Sequence, residues 1–142
     1  MLMPGLIDSH THIFARSISA RRINLSPADT LDKLAQALHD ENSGDGVVYA
    51  RGWQNHLFPP DGPGKEMLDA VFGDRPVVLD SVDGHSTWFS SNAFEIAGVD
   101  AGTEDPEAGI SFFERDKTTD ELLGTTRERA HRAGCVSDAC RD

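Results

Sequence analysis

Met3-Pro4-Gly5-Leu6-Ile7-Asp8-Ser9-His10-Thr11-His12 is the stretch from which the fold can be read outward. Pro4-Gly5 signals a turn. Leu6 and Ile7 then form a short apolar run that stops at a polar cluster, the pattern of a buried strand ending at a cavity. His10 and His12 stand two apart on extended backbone, so both side chains project to one side, about 6.5–7 Å apart along the strand. Two imidazoles at that spacing can share a divalent ion, each nitrogen about 2.0–2.1 Å from it in the case of zinc. Asp8, two residues earlier on the same face, is placed to orient a ligand or the strand end. Spacing alone leaves a second reading, two surface or loop histidines, because His-x-His also arises by chance.

Downstream, strands and helices alternate. Ser26-Pro27 is a helix start, and Leu31, Leu34, Ala35 and Leu38 recur at helical spacing, so residues 27–39 are predicted as an amphipathic helix ended by Asn42-Ser43-Gly44. Residues 47–50 form a second strand running into Arg51-Gly52-Trp53. The Pro/Gly-rich stretch 59–64 is a loop. Met67, Leu68, Val71 and Phe72 mark a short helix closed by Gly73. Residues 76–80 are a third strand, whose polar exit is Ser81-Val82-Asp83-Gly84-His85-Ser86. Residues 91–97 are a further helix capped by Gly98. Each strand is continuously apolar, which predicts a parallel sheet covered on both faces, an α/β fold. Beyond Asp100, residues 110–113 and 121–123 are expected to pair as a small hairpin, and 125–133 to be helical.

A length of 142 residues suits one domain, and 38% apolar with 26% charged residues is the balance of a globular chain rather than a disordered one. The net charge of −11 argues against nucleic acid and anionic membranes as partners, since both need clustered Lys and Arg. No apolar run approaches the ~20 residues of a membrane span. The first ten residues lack the pattern of a signal peptide, so the expected location is cytoplasmic. Cys135 and Cys140 are spaced too widely for the usual metal or redox pair and read as free thiols. There is no phosphate-binding loop: Asp61-Gly62-Pro63-Gly64 lacks the Lys-Ser/Thr, and no G-x-S-x-G elbow occurs.

The residues from Met3 to His12 resemble the P-G-L-I-D-x-H-x-H signature of the metal-dependent amidohydrolase superfamily. Arg51-Gly52-Trp53, Leu68-Asp69-Ala70, residues 74–79, Val82-Asp83-Gly84-His85-Ser86-Thr87-Trp88 and Ser91-Asn92-Ala93 through Ala97-Gly98-Val99 extend the likeness to the YtcJ-like branch, amidohydrolase family 3. The resemblance implies that the first element is strand one of a TIM (β/α)8 barrel and that His10 and His12 bind the metal. It implies a hydrolase acting on non-peptide, amide-type carbon–nitrogen bonds of small molecules by attack of a metal-activated water. Zinc is the expected ion, although iron, manganese or cobalt would also suit two imidazoles. The resemblance runs to about Leu123, so residues 1–124 are expected to be a partial barrel domain and 125–142 a divergent tail.

Three further side chains are candidates for binding substrate. His85 and Asp83 lie in the polar turn after the third strand, at the rim where barrel enzymes place their sites. There His85 either meets substrate or only ties the loop together, and Asp83 either faces the site or caps the turn. Trp53, at the exit of the second strand, either lines the pocket or packs in the core. A complete barrel takes about 250 residues, so about three βα units, with an irregular or hairpin insertion after residue 100, read as a fragment. The further metal ligands and the catalytic Asp of the family find no place in it. Two ligands fall short of the three or four that a site needs, so this chain alone is expected to bind metal weakly and turn nothing over. A non-catalytic truncated product, or an oligomer that completes its site from a second copy, is the alternative.

Overall fold

The computed structural model describes residues 23–40, 46–128 and 130. The expected first strand, Asp8, His10, His12 and both cysteines lie outside those residues.

The described residues form one mixed sheet of six strands with three α-helices and a short 3-10 helix, Asn55–Leu57. Strand β1 (Ile23–Asn24) pairs in parallel with β2 (Val48–Trp53), which pairs in parallel with β3 (Val77–Ser81). Strand β4 (Ser86–Phe89) then returns antiparallel to β3. Strands β5 (Phe113–Arg115) and β6 (Leu122–Arg127) complete the spatial order β1-β2-β3-β4-β6-β5. The expectation of a wholly parallel sheet is therefore corrected: only the β1-β2-β3 half is parallel. The cause is the turn after β3, where the Gly84 N–H donates to the Ser81 carbonyl (3.2 Å) and Gly84 adopts φ +77, which folds the chain straight back.

Helix α1 (Leu31–Asp40) buries Leu34 and Leu38, one turn apart, on its inner face. It starts later than Ser26-Pro27 suggests. Leu25 N–H still extends the sheet ladder to Arg51 O (2.7 Å), and Thr30 Oγ1 caps the helix by accepting from Lys33 N–H (3.3 Å). Helix α2 (Lys65–Phe72) buries Leu68 and Phe72 and closes at Gly73. Helix α3 (Ser91–Ala97) has the span and the Gly98 stop, in the left-handed conformation, that the sequence predicts, and Ser90 Oγ caps its start.

Side chains alternate across the sheet, as the pleat requires. Val77 and Leu79 of β3 join Leu34, Leu38, Trp53, Leu68, Phe72 and Trp88 on one side. Val78 joins Phe89, Phe94, Phe113 and Leu122 on the other. Both faces are covered, as expected. The helix expected over 125–133 is corrected in its first part: Thr125 and Thr126 are fully buried β-branched residues within β6 and pair with Trp88 and Thr87 of β4.

Candidate functional site

Parallel strands point their carboxyl ends at one rim, and loops there are where α/β folds place ligands. The turn after β3 carries Asp83 and His85 at that rim. Asp83 Oδ1 accepts hydrogen bonds from Ser81 Oγ (2.6 Å) and from the His85 backbone N–H (3.0 Å). Its Oδ2 accepts from Asn55 Nδ2 (2.6 Å), which belongs to the loop after β2. Asp83 therefore ties together the loops leaving two adjacent parallel strands. Partial burial raises its pKa, but the hydrogen bonds from Ser81, His85 N–H and Asn55, together with the charge of His85, outweigh that and hold the carboxyl below its ordinary range.

His85 stands on the outside of this turn with its side chain 66% exposed. Its Nδ1 lies 2.9 Å from Glu128 Oε1, and its carbonyl accepts from the Glu128 backbone N–H, also at 2.9 Å. Glu128 follows directly on β6, whose pairing places Arg127 opposite Ser86. Arg127 is fixed in turn: Nε donates to Glu114 Oε1 (2.7 Å), Nη1 to Ser86 Oγ (2.8 Å) and Nη2 to the Pro60 carbonyl.

Trp53 is placed elsewhere. It is 1% exposed, its indole N–H donates to the Leu79 carbonyl (2.9 Å), and its ring packs edge-on against Phe58 and Trp88. Among the described residues it packs as a core side chain. Asp80, in β3, accepts from Thr87 Oγ1 (3.1 Å) within the sheet.

Sequence reasoning missed Glu128, Arg127 and Asn55. Asn55 had a usable signal, since it lies two residues beyond a strand end; its Oδ1 is buried with no hydrogen-bond partner among the described residues. The other two become visible only through the β4–β6 pairing. Among the described residues no three His, Cys, Asp or Glu side chains converge as a metal site, and both oxygens of Asp83 are already engaged. No described helix is long and apolar enough to cross a membrane.

Comparison with known proteins adds the following. The sequence model of a family described as the amidohydrolase family matches residues 1–138, a span that includes His10 and His12. YtcJ of Bacillus subtilis (strain 168) is 30% identical over 115 residues, covering 78% of this chain and 22% of that protein. The N-substituted formamide deformylase of Arthrobacter pascens is 28% identical over 151 residues, covering 99% of this chain and 27% of that protein. This chain thus spans about a quarter or less of the length of such relatives. A crystal structure of an uncharacterized metal-dependent hydrolase from Pyrococcus furiosus superposes with TM-score 0.57 at 23% identity, over 93% of this chain and 24% of that one. Its counterpart from Pyrococcus horikoshii gives 0.56 at 20% identity, over 89% and 22%. At such identities these two share the fold.

Proposed function

The chain belongs to the amidohydrolase family, and on that premise we propose that the protein hydrolyses non-peptide carbon–nitrogen bonds of small amides at a site holding a divalent metal. The observation that carries this reading is the exposed His85, held with Asp83 in a hydrogen-bonded turn at the carboxyl end of a parallel strand. The parallel half, β1-β2-β3, is read as part of a (β/α)8 barrel, with the antiparallel half as an extension beside it.

His10 and His12 are the proposed metal-holding pair, two of the three or four protein ligands that such a site takes. Two imidazoles suit zinc first among the first-row divalent ions that would fit. The metal supplies, when bound, a water of pKa lowered toward ~7 and polarisation of the amide carbonyl. The chain's own residues do the rest of the proposed work. His85 engages the amide group of the substrate through its outward ring nitrogen, and Asp83 holds the turn that presents it. N-substituted formamides are the substrate class to try first, because the deformylase relative aligns over 99% of this chain.

The test uses the protein at its natural length. Metal content is measured by elemental analysis, and formate release is followed from N-substituted formamides beside a panel of small amides and cyclic imides. Metal-dependent hydrolysis is expected, with His10→Ala and His12→Ala each losing bound metal. His85→Ala is expected to keep the metal and raise KM about tenfold, the worth of one hydrogen bond. Full activity with neither histidine ligand, or metal-loaded protein that hydrolyses no member of the panel, would overturn the reading.

A further inference from the structure

The His85–Glu128 contact has a shape that stability does not explain. Glu128 adopts φ +50, left-handed backbone that a non-glycine residue enters only at a cost. The contact that results is well exposed, 66% for His85 and 45% for Glu128, and exposed polar contacts of this kind stabilise proteins little. The strained residue is nonetheless delivered by rigid neighbours. Arg127, immediately before it, is locked to Glu114, Ser86 and the Pro60 carbonyl, and Glu128 N–H closes onto the His85 carbonyl at 2.9 Å. The His85 backbone N–H is meanwhile bonded to Asp83. The histidine is held at its N–H, its carbonyl and one ring nitrogen, and among the described residues Nε2 has no hydrogen-bond partner.

We propose that Glu128 is a positioning residue that fixes the tautomer of His85, keeping the proton on Nδ1 so that Nε2 presents a lone pair to the N–H of a secondary amide substrate. This rests on the substrate-binding reading of His85 given above and deepens it. An ionised carboxylate can only accept a hydrogen bond, so at 2.9 Å from Oε1 it requires a proton on Nδ1. The neutral ring then has Nε2 as an acceptor. A carboxylate behind a histidine is a common device for setting which ring nitrogen faces the chemistry. The preference that follows is for substrates with an N–H on the scissile amide over fully N-substituted ones.

The test reads the ring directly. Two-dimensional 15N–1H spectra of histidine-labelled protein, recorded at about pH 9 where an ordinary imidazole is neutral, report which nitrogen carries the proton. The wild type is expected to show Nδ1–H at His85. Glu128→Ala is expected to shift the ring toward Nε2–H, and Glu128→Gln, whose amide can either accept from Nδ1–H or donate to Nδ1, to leave a mixture of the two tautomers. In kinetics, Glu128→Ala should raise KM about tenfold for secondary amides and leave it unchanged for tertiary ones. A wild-type Nε2–H signal overturns the proposal even if no variant folds, as does a folded Glu128→Ala protein with an unaltered tautomer. Hydrolysis with the wrong tautomer refutes the role of Glu128 alone. The expected tautomer in a protein that hydrolyses no amide refutes the proposed activity instead.

Discussion

Gly52→Ala is expected to be the most damaging single methyl group that can be added to the parallel half of the sheet. Gly52 sits at the irregularity in β2 where the register against β3 shifts between Arg51 and Trp53, and it adopts φ +93. A Cβ there would lie 2.8 Å from the backbone nitrogen of Ser26 and closer still to its hydroxyl. The hydroxyl can rotate away; the backbone nitrogen belongs to the strap that follows β1 and cannot yield without moving Leu25, which is 1% exposed. Backbone strain of about 1–3 kcal/mol therefore adds to overpacking of about 1–3 kcal/mol, or roughly 4 kcal/mol against a whole-domain stability of about 5–15 kcal/mol. Urea unfolding followed by the fluorescence of Trp53 and Trp88 should show the midpoint fall by about 2 M, taking an m-value of about 2 kcal/mol/M. Gly98→Ala is the control: φ is +69, but nothing lies within 4 Å of the added atom, so only about 1–2 kcal/mol of backbone cost is expected. If Gly52→Ala costs no more than Gly98→Ala, the close approach of the Ser26 strap to β2 is not a real constraint.

Three further outcomes are expected. Because Asp83 titrates below its unfolded value, it stabilises the fold above about pH 4 and that contribution is lost as pH falls through its lowered pKa. In Asp83→Asn the acid limb of a melting-temperature profile should flatten in that window, while Asp29 and Asp116, also held low, keep some slope. Arg127→Lys should cost about 1–3 kcal/mol in chemical denaturation, because one ammonium cannot reach Glu114, Ser86 and Pro60 in the fork that a guanidinium makes; an unchanged midpoint would deny that this clamp fixes the end of β6. Trp53→Phe should destabilise by about 1 kcal/mol by removing the indole N–H that donates to the Leu79 carbonyl. It should leave KM for any amide substrate unaltered, and a raised KM would return Trp53 to the pocket.

How far the sequence could be read depended on whether each element carried its own signal. Strands β2 and β3 were legible as apolar runs, and the end of α3 from Gly98, because burial and capping are local properties of those residues. Strand β4 was hidden: Ser86 and Thr87 look like loop residues, yet both are buried, with Ser86 Oγ accepting from Arg127 and Thr87 Oγ1 donating to Asp80. Polar side chains that find partners inside a sheet erase the pattern that would announce it. The start of α1 was misplaced for the opposite reason, since Ser26-Pro27 carries a cap signal that the continuing ladder at Leu25 overrides. At the candidate site, Asp83 and His85 could be singled out as reactive residue types at a strand exit. Glu128 could not, because 43 residues separate it from His85 and only the fold brings them together.

The mixed topology, which the sequence did not disclose, is also what makes the arrangement around His85 possible. In a wholly parallel sheet the chain leaving β3 would cross over through a helix and return at the opposite rim. Here β3 pairs in parallel with β2 on one edge and antiparallel with β4 on the other, so its carboxyl end is where the two halves of the sheet meet. From the parallel side comes Asn55, beyond the end of β2, to bind Asp83. From the antiparallel side comes Glu128, beyond the end of β6, to bind His85. A β6 running the other way would carry Glu128 to the far rim. The same reversal that departs from the expected barrel pattern thus supplies the carboxylate that can set the histidine's tautomer, and it is at this reversal that chemistry and topology depend on each other.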